Sequence, residues 1–225
     1  MEIICLFLLQ VFILFVLSRF LQKYLSQFIF SITKSERITV YAMAGFFFIG
    51  TVIHEFSHLI MANLLFVHTG KMELLPKLEG NSIRLGSVEI VKPDPFRRLL
   101  IGVAPFLMGT TIIVLTLFSA DFFDATHTLW IGILALLIVF QIGNTMFSSK
   151  KDMEGASFFL VLIIIIAITL YLLGFRTSLE QINGIIPSEL LRLGDLGSKY
   201  LLIPIAIDVA AIALLFFGIK LIGRK

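Results

Sequence analysis

Residues 52–62 read VIHEFSHLIMA, which sets His54, Glu55 and His58 inside a run that is otherwise apolar enough to cross a membrane. Ionisable groups are costly in hydrocarbon, and where they occur there they mark function. On a helix, residues four apart lie one turn on, so His54 and His58 project from nearly the same face and can converge on one ion. Glu55 sits about 100° round from His54, beside such an ion rather than in its first ligand shell.

The flanking sequence makes the same demand on its surroundings. The chain has 225 residues, is 58% hydrophobic and carries 23 Phe, with a mean hydropathy of +1.02. That composition belongs to an integral membrane protein. A span needs about 20 apolar residues to cross roughly 30 Å of hydrocarbon, which gives six candidates near 3–18, 39–66, 99–118, 127–147, 156–174 and 200–222. The expected fold class is an all-α polytopic membrane protein of about six transmembrane helices, a single membrane domain over 1–225. The first run has no basic n-region, carries Glu2 and ends at Arg19 without a small-residue cleavage site, so it reads as a retained span.

Between the second and third spans, residues 67–98 alternate short apolar and polar runs around Glu79-Gly80-Asn81-Ser82. Ile83, Leu85, Val88 and Ile90 point to strand, and the segment reads as a small β-hairpin at 72–92 after the histidine-bearing helix. Residues 175–199 read as an interfacial loop with a short helix after Pro187. The single cysteine, Cys5, excludes an intrachain disulfide and reads as a packing residue. The 18 basic and 15 acidic residues form no dense basic block or aromatic-interleaved stripe, so nothing supports nucleic-acid binding. Counting Lys and Arg on alternate sides of six spans gives about eleven against seven. The richer side holds the 67–98 loop, the 148–155 loop and the C-terminal tail, and is placed in the cytoplasm with the N-terminus. The basic 19–38 segment then falls outside, against the rule.

H-E-x-x-H is a zinc metalloprotease signature. Neutral imidazoles bind Zn²⁺ while leaving a position for water, the ion lowers that water's pKa to about 7, and Glu55 is placed to take its proton. Haem is excluded, because two histidines one turn apart on one helix cannot reach opposite faces of the ring. Three protein ligands are usual at a catalytic zinc. Asp121, Asp124 and His127 fall on the opposite side by the topology above. Asp152 falls on the same side as His58, and reaches it if the chain after Asn144 unwinds. Asp208, in the last span, reads either as a gate or substrate contact or as a carboxyl bonded to a neighbouring helix. His68 reads as solvated, and Asn63 as an interhelical hydrogen bond.

At these residues the chain resembles the site-two protease family of intramembrane zinc metalloproteases. The resemblance rests on residues 52–60 (VIHEFSHLI), the hairpin-like insertion, Gly102-Val-Ala-Pro105 in the next span, and Asn144 eight residues before Asp152. It covers about half the chain, with residues 39–155 as the three-helix core. It implies a Zn²⁺ held by His54, His58 and Asp152, with Glu55 as general base and Asn144 positioning substrate. The implied reaction is peptide-bond hydrolysis in or beside a transmembrane segment of a membrane-protein substrate, with water reaching the site from the cytoplasm. The chain departs from the family where Phe147 replaces Pro, Met153 replaces Gly and Met108 replaces Asn. The hairpin is either a strand edge for the unwound substrate or a seal on the bundle. The alternative function is non-proteolytic: a metal carrier, or a catalytically silent relative that binds membrane helices.

Overall fold

The computed structural model describes residues 2–73, 77–79, 82–84, 87–90, 93–122, 129–147, 152, 161–162, 164–166, 168–169, 172 and 187–222. Helices α1 (Glu2–Thr33), α2 (Glu36–Phe46) and α3 (Phe48–Leu64) come first, followed by four short strands, β1 (Thr69–Glu73), β2 (Lys77–Glu79), β3 (Ser82–Arg84) and β4 (Ser87–Ile90). Helices α4 (Pro95–Phe122), α5 (Leu129–Thr145) and α6 (Ser188–Ile222) complete the described elements. Among the described residues, three helices are long and apolar enough to cross a membrane, α1, α4 and α6, or four if the bent pair α2–α3 is one span. Many large apolar side chains on these helices are exposed, as lipid contact requires.

The expected six spans are met only in part. Helix α5 is a shorter apolar helix, and most of 156–174 lies outside the described residues. Two boundaries also differ from the expectation. Helix α1 does not stop at Arg19 but runs to Thr33, because Tyr24 and Phe28 of its second half pack against Phe216 and Gly218 of α6. Arg19 and Lys23 lie exposed on its outer face, where long side chains can reach polar headgroups. Helix α6 starts at Ser188, so the short helix expected after Pro187 is continuous with the last span.

Helices α1 and α6 run parallel. A Cβ on Gly194 would meet Ile3, one on Gly197 would meet Phe7 and one on Gly218 would meet Phe28, so contact positions rise together along both helices. Two helices that cross a bilayer in the same direction are separated by an odd number of crossings. Helices α1 and α6 are therefore not the first and last of six alternating spans.

Local chemistry sets the breaks. Lys34 takes a left-handed φ of 53° and closes α1 with a bond from its N–H to the Phe30 carbonyl. Ser35 then caps α2, its side chain accepting from the Ile38 N–H. Helices α2 and α3 bend by 68° at Phe47, which stacks on Phe140 of α5, while Gln141 donates its side-chain N–H to the Phe46 carbonyl at the break. Helix α4 opens with Asp94 accepting from the N–H groups of Phe96 and Arg97 and with Pro95 in its first position.

Over 69–90 the described residues form two antiparallel pairs, β1 with β4 and β2 with β3. Glu79 pairs with Ser82, and β1–β4 shifts register between Thr69 and Met72. The main core gathers Leu14 of α1, Ile113 and Leu117 of α4, Val139 and Ile142 of α5, and Tyr200 and Leu201 of α6. A second, small cluster of Ala62, Val67 and Ile101 joins the end of α3 to α4. Cys5, expected to pack, is exposed on α1.

Candidate metal centre

Helix α3 presents His54 and His58 one turn apart, with ring centroids 4.9 Å from each other. Helix α5 ends at Thr145, and Asp152, seven residues further on, lies beside both rings. His54 Nε2 lies 3.8 Å from Asp152 Oδ2, and His58 Nε2 lies 3.6 Å from Asp152 Oδ1. One ligand atom from each of the three residues lies within 4.8 Å of the others, so the group could hold a metal ion. At metal–ligand distances of about 2.0–2.1 Å, tetrahedral ligands stand about 3.3 Å apart, close to the observed separations. The donor set also fits, with two imidazole nitrogens and one carboxylate. His58 is buried, and His54 and Asp152 are 12% and 20% exposed, so the site is recessed but open on one side. Glu55 is buried one residue from His54.

Both imidazoles are oriented by main-chain carbonyls. His54 Nδ1 lies 2.6 Å from the Thr145 carbonyl, and His58 Nδ1 lies 2.8 Å from the Ile101 carbonyl. A carbonyl oxygen only accepts, so each Nδ1 carries the proton and each Nε2 keeps its lone pair for an ion. The two carbonyls are free for this work for different reasons. Thr145 ends α5, and the last four carbonyls of a helix have no N–H partner within it. Ile101 lies inside α4, but the residue four positions on is Pro105, which has no N–H to give.

Glycines set the spacing. A Cβ on Gly102 would collide with the Asp152 carbonyl, and one on Gly50 with the Thr145 side chain, so α4 approaches Asp152, and α3 the last turn of α5, only through glycine. Gly102 and Pro105, which in sequence mark only the resemblance, thus shape the site. A proline inside an apolar run is the signal that a carbonyl four residues earlier lacks its helical partner.

The remaining candidates are distributed as follows. Asn144 is 2% exposed, with its side-chain Nδ2 donating to Asp208 Oδ1 at 2.8 Å and to the Phe140 carbonyl at 3.0 Å. Asp208 is fully buried in α6, bonded to this neighbouring helix. His68 and Asn63 are exposed. Asp121 is in the last turn of α4, while Asp124 and His127 lie outside the described residues. The chain matches no family model, no curated protein and no solved structure.

Proposed function

We propose that the protein is an intramembrane zinc endopeptidase that hydrolyses a peptide bond in or near a transmembrane segment of a membrane-protein substrate. The observation that carries this reading is the convergence of His54, His58 and Asp152, with both imidazoles fixed in the metal-binding tautomer, beside a buried Glu55 in an apolar helix. His54, His58 and Asp152 would hold the ion. When bound, zinc supplies Lewis acidity, which lowers the pKa of water and polarises a carbonyl. Glu55 accepts the proton of the attacking water as its oxygen bonds to the scissile carbonyl carbon, and returns it to the leaving nitrogen as the C–N bond breaks. A substrate helix must unwind first, since its carbonyls are otherwise engaged in its own hydrogen bonds.

The site faces the cytoplasm in this reading, and the parallel α1–α6 pair refines how. Helix α2 is 11 residues long, about 16 Å, and packs back on α1. Phe47 meets Phe140, which is about 16 Å into α5. If α2–α3 enters and leaves on one face, five crossings remain. Lys34 and Arg37 then join Lys71, Arg97, Lys150 and Arg224 on that face, while Arg176, Arg192 and Lys199 lie opposite with the N-terminus. This arrangement removes the conflict that six spans create for residues 19–38.

Purified protein should hold about one zinc per chain, and His54→Ala should lose it. In proteoliposomes with single-span peptides, Glu55→Gln should keep zinc and cleave about 10²- to 10⁴-fold more slowly than the parent. Parental cleavage by Glu55→Gln would assign the base elsewhere, and zinc binding with no cleavage by the parent would leave the carrier or silent-relative reading. For orientation, single cysteines at Ser35, Asn81 and Lys150 in a Cys5→Ser background should be shielded from an impermeant thiol reagent in intact cells, while one at Asp124 labels. Labelling of Ser35 alone among the first three would make α2–α3 a through-going span.

A further inference from the structure

We propose that Asp208 and Gln22 are positioning residues of the metal centre, acting through Asn144 on the last turn of α5. The inference rests on the reading of His54, His58 and Asp152 as metal ligands. Asp208 is fully buried in an apolar stretch of α6, and Asn144 is 2% exposed. A buried carboxyl in such a helix needs hydrogen bonds to offset its desolvation, and Asn144 supplies one at 2.8 Å. The other amide proton of Asn144 goes back to the Phe140 carbonyl in its own helix, so the side chain is fixed at both donors.

The main chain of the same residue is held from the opposite direction. Gln22 of α1 donates its Nε2–H to the Asn144 carbonyl at 2.7 Å. That carbonyl lies in the final turn of α5, where helical N–H partners run out. The next carbonyl along, Thr145, is the one that holds His54 Nδ1. Gln22 and His54 thus bind consecutive peptide units, and a rotation of the turn that frees one displaces the other. Asp208 sets the angle of that turn through the Asn144 side chain, and Pro204, one turn earlier in α6, packs against Gly143.

None of these groups touches the ion, so the test reads the geometry of the site rather than turnover alone. Zinc affinity is measured by competition with a chromophoric chelator in detergent, and Co²⁺ absorption reports ligand geometry, with helix content and apo melting temperature followed in parallel. Asp208→Leu should weaken zinc binding about 10- to 100-fold and alter the Co²⁺ spectrum, the range found when groups behind metal ligands are removed. Asp208→Asn keeps an acceptor for Asn144 and should hold near the parental affinity and spectrum. Gln22→Leu should weaken binding about tenfold. Parental affinity and spectrum in folded Asp208→Leu would overturn the role of Asp208, and the same result in Gln22→Leu would overturn that of Gln22. If Asp208→Leu does not fold, Gln22→Leu decides whether the turn is held for the metal's sake. Absence of zinc from the parent protein would end the metal reading itself, whereas parental affinity in both variants ends only this inference.

Discussion

Around His54 and His58, helices α3, α4 and α5 are joined by single directional bonds from imidazole to carbonyl, while α1 and α6 are joined by shape. In the first region the critical groups are the Thr145 and Ile101 carbonyls, left without a helical partner by a helix end and by Pro105. In the second, Ile3, Phe7 and Phe28 lie against Gly194, Gly197 and Gly218, and aromatic pairs such as Tyr24 with Phe216 fill the seam. Lipid tails are as apolar as the side chains, so close packing rather than hydrophobic burial joins such helices. The difference teaches that the two regions fail differently. Loss of one bond at the site disturbs metal geometry and leaves the bundle standing, whereas one added side chain in the seam disturbs the bundle and reaches the metal only through the fold.

The sharpest break between the regions is expected at Asp152. Replacing it with alanine removes one of the three proposed ligands and should lower zinc affinity by more than about 100-fold, beyond the range for groups behind the ligands, with little change in helix content by circular dichroism. Unchanged zinc affinity would move the third ligand elsewhere.

Pro105→Ala sharpens the contrast by sending two measurements in opposite directions. The new N–H at 105 can bond the Ile101 carbonyl and compete with His58, so zinc affinity should fall about 10- to 100-fold. Helix α4 meanwhile gains a hydrogen bond, and melting temperature in the apo state should stay level or rise. A variant that melts lower yet binds zinc as before would show that Pro105 serves packing alone.

Gly197→Leu probes the seam. A Cβ there would stand 2.7 Å from the Phe7 ring, and overpacking of this kind typically costs about 1–3 kcal/mol. The expected result is a lower unfolding midpoint with parental zinc affinity in the folded fraction; weakened affinity in that fraction would mean that the seam itself, and not only Gln22 and Asp208, reaches the site. Cys5→Ser should have the smallest effect, within about 0.5 kcal/mol, because Cys5 is exposed on the outer face of α1.

Much of the site was legible because its chemistry is local. The spacing of His54 and His58 puts them on one helix face whatever surrounds it, and Asp152 followed from asking which acid shares their side of the membrane. What could not be read were the carbonyl partners, since Thr145 and Ile101 are defined by what their helices leave unbonded, and no side chain announces that. Membrane class was plain from composition, but not the length of α1 or the start of α6. Arg19 and Lys23 look like a loop in sequence, and only packing against α6 shows the helix continuing past them. The direction of α6 relative to α1 was equally hidden, because span counting assumes that every apolar run crosses.

The position of Asn144 between its two holds also has a consequence in time. Gln22 precedes it by 122 residues and Asp208 follows it by 64. At about 5–20 residues per second, a ribosome makes His54, His58 and Asp152 several seconds before it completes α6. On the proposed assignment, the nascent chain carries all three metal ligands before Asp208, the last of the groups proposed to hold their geometry, has been synthesised.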